Sequence, residues 1–222
     1  MANSSLSIEK LRFRYHPGDW VIDIPHFTLA SAEQALLTGS SGSGKSTLLQ
    51  LIAGLLEPSE GRIEIAGQDV FAVRGAARDR LRGRSLGMVF QTFNLLVGFS
   101  ALENVLAALM FSGIPRSEHD ARARSLLDRL GILRRDAKVE ELSIGQQQRV
   151  AVARALACKP ALVLADEPTA SLDPANAAAA MDLMQELCRE QGAALLCVSH
   201  DPALASRFDR REDLSSLGAV SV

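Results

Sequence analysis

A glycine-rich segment has the residue types and spacing of a phosphate-binding loop. It runs from Gly39 through Gly44 to Lys45 and Ser46, and its eight residues are Gly39, Ser40, Ser41, Gly42, Ser43, Gly44, Lys45 and Ser46. Glycines let backbone amides close around phosphate oxygens, and the amino end of a following helix adds partial positive charge. Lys45 can reach the terminal phosphates of a nucleotide, and the Ser46 hydroxyl can ligate Mg²⁺.

The residues on either side of this loop favour the same interpretation. Ala35–Thr38 is a short unbroken apolar run, which predicts a buried strand, and the spacing from Ser46 to Leu56 is helical. A chance glycine-rich turn is the alternative, but it would require neither a strand before it nor a helix after it. The sequence therefore predicts a strand, loop and helix around a bound phosphate.

Two carboxylates follow a second apolar run. Asp166 and Glu167 come directly after Ala161–Ala165, so they should lie at the carboxyl end of a strand, beside the phosphate loop of an open α/β sheet. Asp166 can then hold Mg²⁺ through water, and Glu167 can polarise the water that attacks the terminal phosphate. Without a phosphate loop, such a pair is more often a turn and helix cap.

A third apolar run, Ala194–Ser199, ends at His200. Short continuous runs suit parallel strands buried on both faces, and the alanine-rich stretch Pro174–Gln191 between the second and third runs predicts a helical crossover. His200 would then reach the γ-phosphate from a neighbouring strand end. The alternative is a structural role, which is commoner for a lone histidine.

Composition limits the classes of protein to which the chain can belong. It has 222 residues, 47% of them apolar, and a formal net charge of −2. That balance excludes affinity for nucleic acid driven by overall charge, and the apolar share excludes bulk disorder. Cys158, Cys188 and Cys197 are widely spaced among apolar residues, so they should be core residues in a reducing compartment. Met1–Lys10 lacks a secretory signal and no run approaches a membrane span, so we expect a soluble, cytosolic chain.

The remaining segments divide into an antiparallel start and a helical middle. Alternation through Tyr15 and the apolar stretch Trp20–Leu29 predict two antiparallel strands. Helical spacing in three stretches predicts a helical insertion over about 92–160; the stretches are Ser100–Ser112, Ser117–Leu130 and Gly145–Cys158. A run of arginines before Leu86–Phe90 is interpreted as a solvated linker face; it consists of Arg78, Arg80, Arg82 and Arg84.

Five segments in chain order resemble the nucleotide-binding domain of ABC-type ATPases. They are Gly39–Thr47, Gln91, Leu142–Gln146, Leu162–Glu167 with Ser171–Asp173, and His200. The likeness covers essentially the whole chain. The pentapeptide Leu142–Gln146, the signature segment, is far more specific than a phosphate loop. It implies an α/β phosphate-loop NTPase core with an antiparallel β subdomain and an inserted helical subdomain. Residues 1–222 would form one domain, with the core and β subdomain in 1–91 and 161–222 and the helical subdomain in 92–160.

The same resemblance implies ATP hydrolysis with Mg²⁺ in an ATP-dependent, head-to-tail homodimer. ATP would lie between the phosphate loop of one subunit and the signature segment of the other, where Ser143 and Gly145 would cap the γ-phosphate. The implied ATP-binding residues are Tyr15, Gly39, Ser40, Ser41, Gly42, Ser43, Gly44, Lys45, Ser46, Thr47, Ser143, Gly145, Gln146 and Asp173. The implied catalytic residues are Glu167, His200, Lys45 and Gln91, and the implied Mg²⁺ ligands are Ser46, Gln91 and Asp166.

One position departs from the family pattern, and a second has two interpretations. The family usually has glycine where this chain has Ile144, which bears on how closely the backbone approaches nucleotide there. Ser143 nevertheless precedes a helical stretch, whose free amides make a natural anion site. Tyr15 falls where the family stacks an aromatic ring on adenine, but its alternation with Leu11 and Phe13 equally suits a plain strand residue.

Within the family, Phe90–Leu96 and Ala101–Val105 resemble the branch of lipoprotein-release, macrolide-export and cell-division ATPases. This implies a motor subunit on the cytoplasmic face of the inner membrane, bound to a separate permease and without a nucleic-acid partner. Its work would be export, lipoprotein or lipid extraction, or mechanotransmission. The alternatives are the ATPase of a small-solute importer and a soluble ABC ATPase, although the latter carry long insertions or two domains. A kinase or GTPase would leave the signature segment unexplained.

Overall fold

The computed structural model describes residues 4–40 and 42–218. Within those ranges the chain alternates strands and helices around two sheets. The strands are β1 (Ser4–Phe13), β2 (Ile22–Ala30), β3 (Gln34–Thr38), β4 (Glu60–Ile65), β5 (Gln68–Asp69), β6 (Leu86–Val89), β7 (Leu162–Asp166), β8 (Ala194–Val198) and β9 (Arg210–Asp213). The helices are α1 (Lys45–Ile52), α2 (Ala76–Ser85), α3 (Ala101–Leu109), α4 (Arg116–Arg129), α5 (Ile144–Leu156), α6 (Pro174–Gln191) and α7 (Pro202–Ala205). Short 3-10 turns cover Val139–Glu141 and Leu214–Leu217.

The larger sheet is parallel, with strand order β6-β7-β8-β3-β9. Carboxyl ends of parallel strands lie at one edge, so Thr38, Val89, Asp166 and Val198 end their strands side by side. In open α/β sheets, ligands bind outside this edge. The predicted crossover is confirmed, because α6 joins the adjacent parallel strands β7 and β8.

The smaller sheet is antiparallel, with order β2-β1-β4-β5. The predicted pairing of the first two strands is confirmed by their antiparallel register, in which Ile8 lies opposite Phe27. Strand β1 ends at Phe13, so the interpretation of Tyr15 as a plain strand residue is wrong. Strand β2 begins at Ile22, two residues after the predicted Trp20.

The parallel sheet separates two apolar cores. Along β7, Val163 and Ala165 face the core formed with the middle helices, and Leu162 and Leu164 face the core shared with α1 and the antiparallel sheet. This period of two explains why a strand buried on both faces is a continuous apolar run in sequence. The resulting α/β architecture agrees with the predicted fold class.

Helix α5 packs closely on β6. A Cβ atom at Gly87 would lie 2.3 Å from the carbonyl oxygen of Ala155, so only glycine fits there. Helices α3, α4 and α5 occupy the three stretches predicted as helical, with ends that differ by a few residues. Their core is continuous with one face of the parallel sheet, and the subdomain boundaries at 92 and 160 stay a prediction.

The interpretation of the arginine run as a linker is wrong, because these residues form α2. Arg82 donates from Nη1 to the Ala53 carbonyl oxygen at 3.0 Å, at the carboxyl end of α1. A cation there stabilises a helix by interacting with its dipole. Helix α1 also ends at Ile52, four residues before the predicted Leu56.

Two remaining expectations concern cysteines and membrane spans. Cys188 and Cys197 are buried core residues, Cys158 is half-buried, and all three are free thiols. Burial raises the pKa of Cys158 to about 11, so this thiol is protonated at neutral pH. Across residues 4–40 and 42–218, no helix combines the length and apolarity needed to cross a bilayer.

Candidate nucleotide-binding and catalytic site

A cleft of about 710 Å³ opens at the carboxyl edge of the parallel sheet. Its lining residues are Tyr15, Val21, Gly39, Ser40, Gly42, Gly44, Lys45, Ser46, Thr47, Gln91, Asp166, Glu167 and His200. The turns that follow β3, β6, β7 and β8 supply most of them, because these strands end at the same edge. All except Val21 are residues that the sequence analysis proposed for the site.

The phosphate loop is built on a left-handed glycine and an internally bonded lysine. Gly44 has φ 93° and caps the amino end of α1, a conformation that costs other residues stability. Lys45 donates from Nζ to the carbonyl oxygens of Gly39 at 2.8 Å and Ser40 at 2.7 Å. An ammonium group has three N–H donors, so one remains for a phosphate oxygen.

Among the described serines of the loop, Ser43 does not line the cleft. Ser41 lies outside the described residues. The Ser43 side chain is buried, and its Oγ has no hydrogen-bond partner in the part of the chain that the structure describes. The predicted contact of Ser43 with phosphate would therefore use its backbone amide, which at present donates to the Ser40 carbonyl oxygen at 3.2 Å.

Ser46 and Asp166 bring two kinds of oxygen ligand together. Burial raises the pKa of the Asp166 carboxyl, a hydrogen bond with the Ser46 hydroxyl opposes that shift, and the Glu167 charge adds to it. A cation bound at this place would favour the charged carboxylate. Hydroxyl and carboxylate oxygens are the ligands Mg²⁺ prefers, with phosphates completing its coordination. The donor set therefore fits this ion.

Glu167 is held at the edge of the sheet by β8 and the two residues after it. It has φ 46°, and its backbone N–H donates to the Val198 carbonyl oxygen at 2.9 Å. Its Oε2 accepts from the Ser199 hydroxyl at 2.7 Å. Its Oε1 lies 3.0 Å from the His200 backbone N–H and 2.6 Å from the ring Nδ1. Left-handed non-glycine residues cluster at functional sites, where the surroundings fix them.

These contacts leave the Glu167 carboxylate able to bind one more donor. A carboxylate offers about four lone-pair positions, of which the Ser199 hydroxyl and the two His200 groups occupy three. A water molecule can take the fourth. The arrangement therefore suits a carboxylate that orients and polarises a single water.

Ser199 contacts the Glu167 carboxylate, although it is not among the site residues predicted from the sequence. Its side chain is buried, and its Oγ also accepts from the Asp201 backbone N–H at 3.1 Å. Its position at the end of an apolar run, next to His200, was the available signal. That signal predicts a strand end but not which carboxylate the hydroxyl meets.

Tyr15 and Gln91 line the cleft, and both residues are exposed. The Tyr15 hydroxyl is 3.0 Å from the Thr47 Oγ1, its ring packs edge-on against Phe13, and 55% of the residue is exposed. An exposed aromatic ring tied to the phosphate-loop helix is available for stacking. Gln91 is exposed, and its backbone carbonyl oxygen accepts from the Ser171 hydroxyl at 3.4 Å.

The signature segment and Asp173 lie away from this cleft. Ser143 caps α5 in a capping box: its Oγ accepts from the Gln146 backbone N–H at 3.3 Å, and its backbone N–H donates to the Gln146 Oε1 at 3.0 Å. Asp173 caps α6 and accepts from the Asn176 backbone N–H at 3.1 Å. None of Ser143, Gly145, Gln146 and Asp173 lines the cleft of their own chain. Contact with nucleotide would therefore require a second subunit.

Comparison with known proteins agrees with this geometry. Residues 22–170 match the sequence family described as "ABC transporter". A lipoprotein-releasing system ATP-binding protein LolD from Shewanella sp. (strain MR-4) is 41% identical, covering 95% of this chain and 93% of the relative. A LolD from Hydrogenovibrio crunogenus is 43% identical, covering 97% and 95%. A dimeric ATP-binding cassette, MJ0796, solved with ADP and phosphate, aligns with a TM-score of 0.82 and 33% identity, covering 94% of this chain and 93% of its own.

The fold, the cleft and these matches define an ATP-binding cassette, and the chain belongs to the ABC transporter family. More particularly, it is an ATP-hydrolysing subunit of an ABC transporter. It binds nucleotide, as the family and the solved cassette indicate.

Proposed function

We propose that this chain powers a lipoprotein-releasing transporter. The observation that carries the proposal is its identity of 41–43% with two proteins named as lipoprotein-releasing ATPases, over 95–97% of its length. Similarity along almost the whole chain includes the surfaces that would meet a permease as well as the nucleotide site. Lipoprotein extraction is one of the activities that the Phe90–Leu96 and Ala101–Val105 resemblance implies.

In this proposal the phosphates of ATP bind to the loop from Gly39 to Thr47. The backbone amides and the remaining N–H of Lys45 would receive the phosphate oxygens, and Tyr15 would stack on the adenine. Mg²⁺ would be held by Ser46, Gln91 and Asp166, and when bound it would supply positive charge that stabilises the negative charge developing on the phosphates. Among residues 4–40 and 42–218 there is no cluster of three acidic, histidine or cysteine ligands. A magnesium ion that relies on phosphate oxygens needs no such cluster.

Hydrolysis would depend on Glu167. Its carboxylate would accept a hydrogen bond from the attacking water and polarise it, while Ser199 and His200 keep the oxygens in place. Glu167 follows β7 and the phosphate loop follows β3, and because only β8 lies between these two strands, both groups lie at the same edge of the sheet. Gln91 would orient water or metal from the end of β6.

The partner subunit would complete the site. Ser143 offers a hydroxyl and the free amides of the first turn of α5, and Gly145 adds a backbone without a side chain. In a head-to-tail dimer these groups, with Gln146 and Asp173, would reach the γ-phosphate bound to the other subunit. ATP would therefore hold the dimer together. The complex would lie on the cytoplasmic face of the inner membrane, with the chain attached through its permease.

Reconstitution tests the transport proposal. The chain is purified in complex with the membrane permease that it binds, placed in proteoliposomes loaded with a fluorescent acylated lipoprotein, and supplied with ATP and Mg²⁺. ATP-dependent release of the lipoprotein into the soluble fraction is expected. A Glu167→Gln complex is the matched control, because it keeps the side-chain shape and loses the charge. ATP-dependent uptake of a small solute, with no lipoprotein released, would instead assign the chain to an importer.

A further inference from the structure

Two consecutive non-glycine residues after Gln91 have left-handed backbone conformations. Phe93 has φ 59° and Asn94 has φ 48°. Asparagine tolerates this region, whereas a bulky phenylalanine is an outlier there. Such residues keep their conformation only when surrounding contacts fix them. A specific contact should therefore hold residues 93 and 94 in this conformation.

Arg154 supplies that contact. It donates from Nη2 to the Phe93 carbonyl oxygen at 2.7 Å and from Nη1 to the Asn94 carbonyl oxygen at 2.5 Å. Arg154 lies in α5, which packs directly on β6 at Gly87. Two nitrogens of one planar guanidinium therefore bind the carbonyl oxygens of two successive residues. Because the guanidinium is planar, it fixes the orientation of these two carbonyl groups relative to each other.

The burial of Arg154 and its lack of an ion-pair partner among the described residues indicate that its main role is to hold these two carbonyl groups. The side chain is half-buried, and burial lowers the pKa of its guanidinium. Within the described part of the chain, no carboxylate lies within ion-pair distance of it. Burying an unpaired charge opposes stability, so an apolar side chain of similar length would serve packing better.

The segment that Arg154 binds continues directly from the turn that contains Gln91. A turn closes when the Phe93 N–H donates to the Phe90 carbonyl oxygen at 3.0 Å, and Gln91 is inside that turn. The Asn94 N–H donates to the Thr92 carbonyl oxygen at 2.6 Å, which ties the second left-handed residue to the same turn. If Phe93 relaxed to an extended conformation, the Asn94 N–H would move away from the Thr92 carbonyl oxygen, and the turn that contains Gln91 would lose this restraint.

We infer that Arg154 is a positioning residue that acts through Gln91 and connects it to the helix beginning at Ser143. The inference rests on the proposed role of Gln91 in hydrolysis. Because the opposite end of α5 is proposed to meet ATP on the partner subunit, Arg154 would link the approach of that ATP to the placement of Gln91 in its own cleft. Arg154 does not line the cleft, so it would affect hydrolysis without contacting the nucleotide.

The first test compares Arg154→Met with a matched control, Arg122→Met. Arg122 lies in α4, is also half-buried, and donates to the carbonyl oxygens of Leu156 and Ala157 at the far end of α5. We expect Arg154→Met to lower kcat for ATP hydrolysis about tenfold with KM for ATP within about twofold, because the phosphate loop is untouched. Arg122→Met should change the melting temperature similarly and leave kcat within about twofold. Equal kcat losses in both variants would overturn the inference.

A double-mutant cycle with Gln91→Ala separates this inference from the role of Gln91 itself. If Arg154 acts through Gln91, Arg154→Met should add less than about twofold to the loss already caused by Gln91→Ala. Multiplicative losses would overturn the link while leaving Gln91 in its role. Parental turnover in Gln91→Ala alone would contradict both the inference about Arg154 and the proposed role of Gln91.

A rescue variant provides a further test. Asn94→Gly places a residue that readily adopts the left-handed conformation in this segment, so it should restore part of the kcat lost in Arg154→Met. If Arg154→Met does not fold, Arg154→Lys replaces it, with one contact retained and an intermediate kcat expected.

Discussion

The ring Nδ1 of His200 lies 2.6 Å from the Oε1 oxygen of Glu167. A carboxylate oxygen only accepts hydrogen bonds, so Nδ1 carries the proton and the tautomer of His200 is set by Glu167. The Ser199 hydroxyl holds the other oxygen of the same carboxylate at 2.7 Å. Two adjacent residues after β8 therefore orient one acid after β7, and both should affect hydrolysis more than binding.

His200→Ala should leave nucleotide affinity nearly unchanged and slow hydrolysis by about 10–100-fold, because a misplaced carboxylate no longer aligns its water. Ser199→Ala should act in the same direction but more weakly, since the two His200 contacts remain. Steady-state turnover and titration with a fluorescent ATP analogue separate the two effects. Normal turnover in His200→Ala would return this histidine to a structural role.

Lys45→Ala should act earlier in the cycle, on binding. It removes the cation that donates to the Gly39 and Ser40 carbonyl oxygens and is proposed to bind the phosphates. A hydrogen bond to a charged group contributes about 1.5–3 kcal/mol, so affinity for ATP should fall about 10–100-fold. Lys138→Ala, at an exposed position outside the cleft, controls for the loss of one charge. Unchanged affinity in Lys45→Ala would mean that the loop amides dominate binding.

Asp166→Asn should stabilise the protein without ligand and abolish its response to Mg²⁺. Burial raises the folded-state pKa of Asp166 above its ordinary value. A raised pKa means that the stability contributed by the protonated form is complete below the unfolded pKa and is lost as pH rises through the folded one. At neutral pH the charge is therefore a cost that asparagine removes.

Melting curves check this prediction at neutral pH. Without nucleotide or metal, Asp166→Asn should melt a few degrees higher than the parent, since about 1 kcal/mol corresponds to about 2–4 °C at this size. With ATP, added Mg²⁺ should raise the melting temperature of the parent and not that of the variant. A variant that melts lower than the parent in both conditions would contradict the proposed balance.

The positions of the site residues were predictable because they depend on strand ends. Glycine spacing at 39–46 and two apolar runs located the phosphate loop, Asp166 and Glu167, and parallel pairing placed them together. Ser199 could not be assigned to Glu167, because a hydroxyl at a strand end has no periodic signal that names its partner.

The errors have physical causes as well. The charge of the arginine run alone predicts a solvated linker, whereas in the structure Arg82 donates to the carboxyl end of α1. Strand β9 was not predicted, because Arg210–Asp213 is charged throughout. Its backbone pairing with β3 and the bond from Arg210 Nη1 to Glu33 Oε1 at 2.9 Å support it instead. Long-range pairing of this kind leaves no local pattern in the sequence.

Ile144 is where the chain departs from its family, and its effect on hydrolysis should be small. It is the first residue of α5, it has no positive φ, and 55% of it is exposed. Neither backbone strain nor a buried contact therefore depends on this side chain. Ile144→Gly should keep kcat within a few-fold and lose about 1 kcal/mol of stability through the added freedom of the unfolded chain. A large gain in turnover would show that isoleucine throttles the site.

Ser143→Arg should abolish turnover, because its bulk would prevent the signature segment from closing on the ATP of the partner subunit. The substitution also removes the capping box of α5, which costs about 1 kcal/mol. Ser100→Ala controls for that loss, since Ser100 forms the equivalent box with Glu103 at the start of α3 and lies outside the cleft. It should melt lower and hydrolyse ATP normally. The turnover of both purified variants is compared with that of the parent, all of them retaining Glu167. Dimer formation is followed by size-exclusion chromatography in ATP and Mg²⁺. Full activity in Ser143→Arg would show that this segment does not cap the nucleotide.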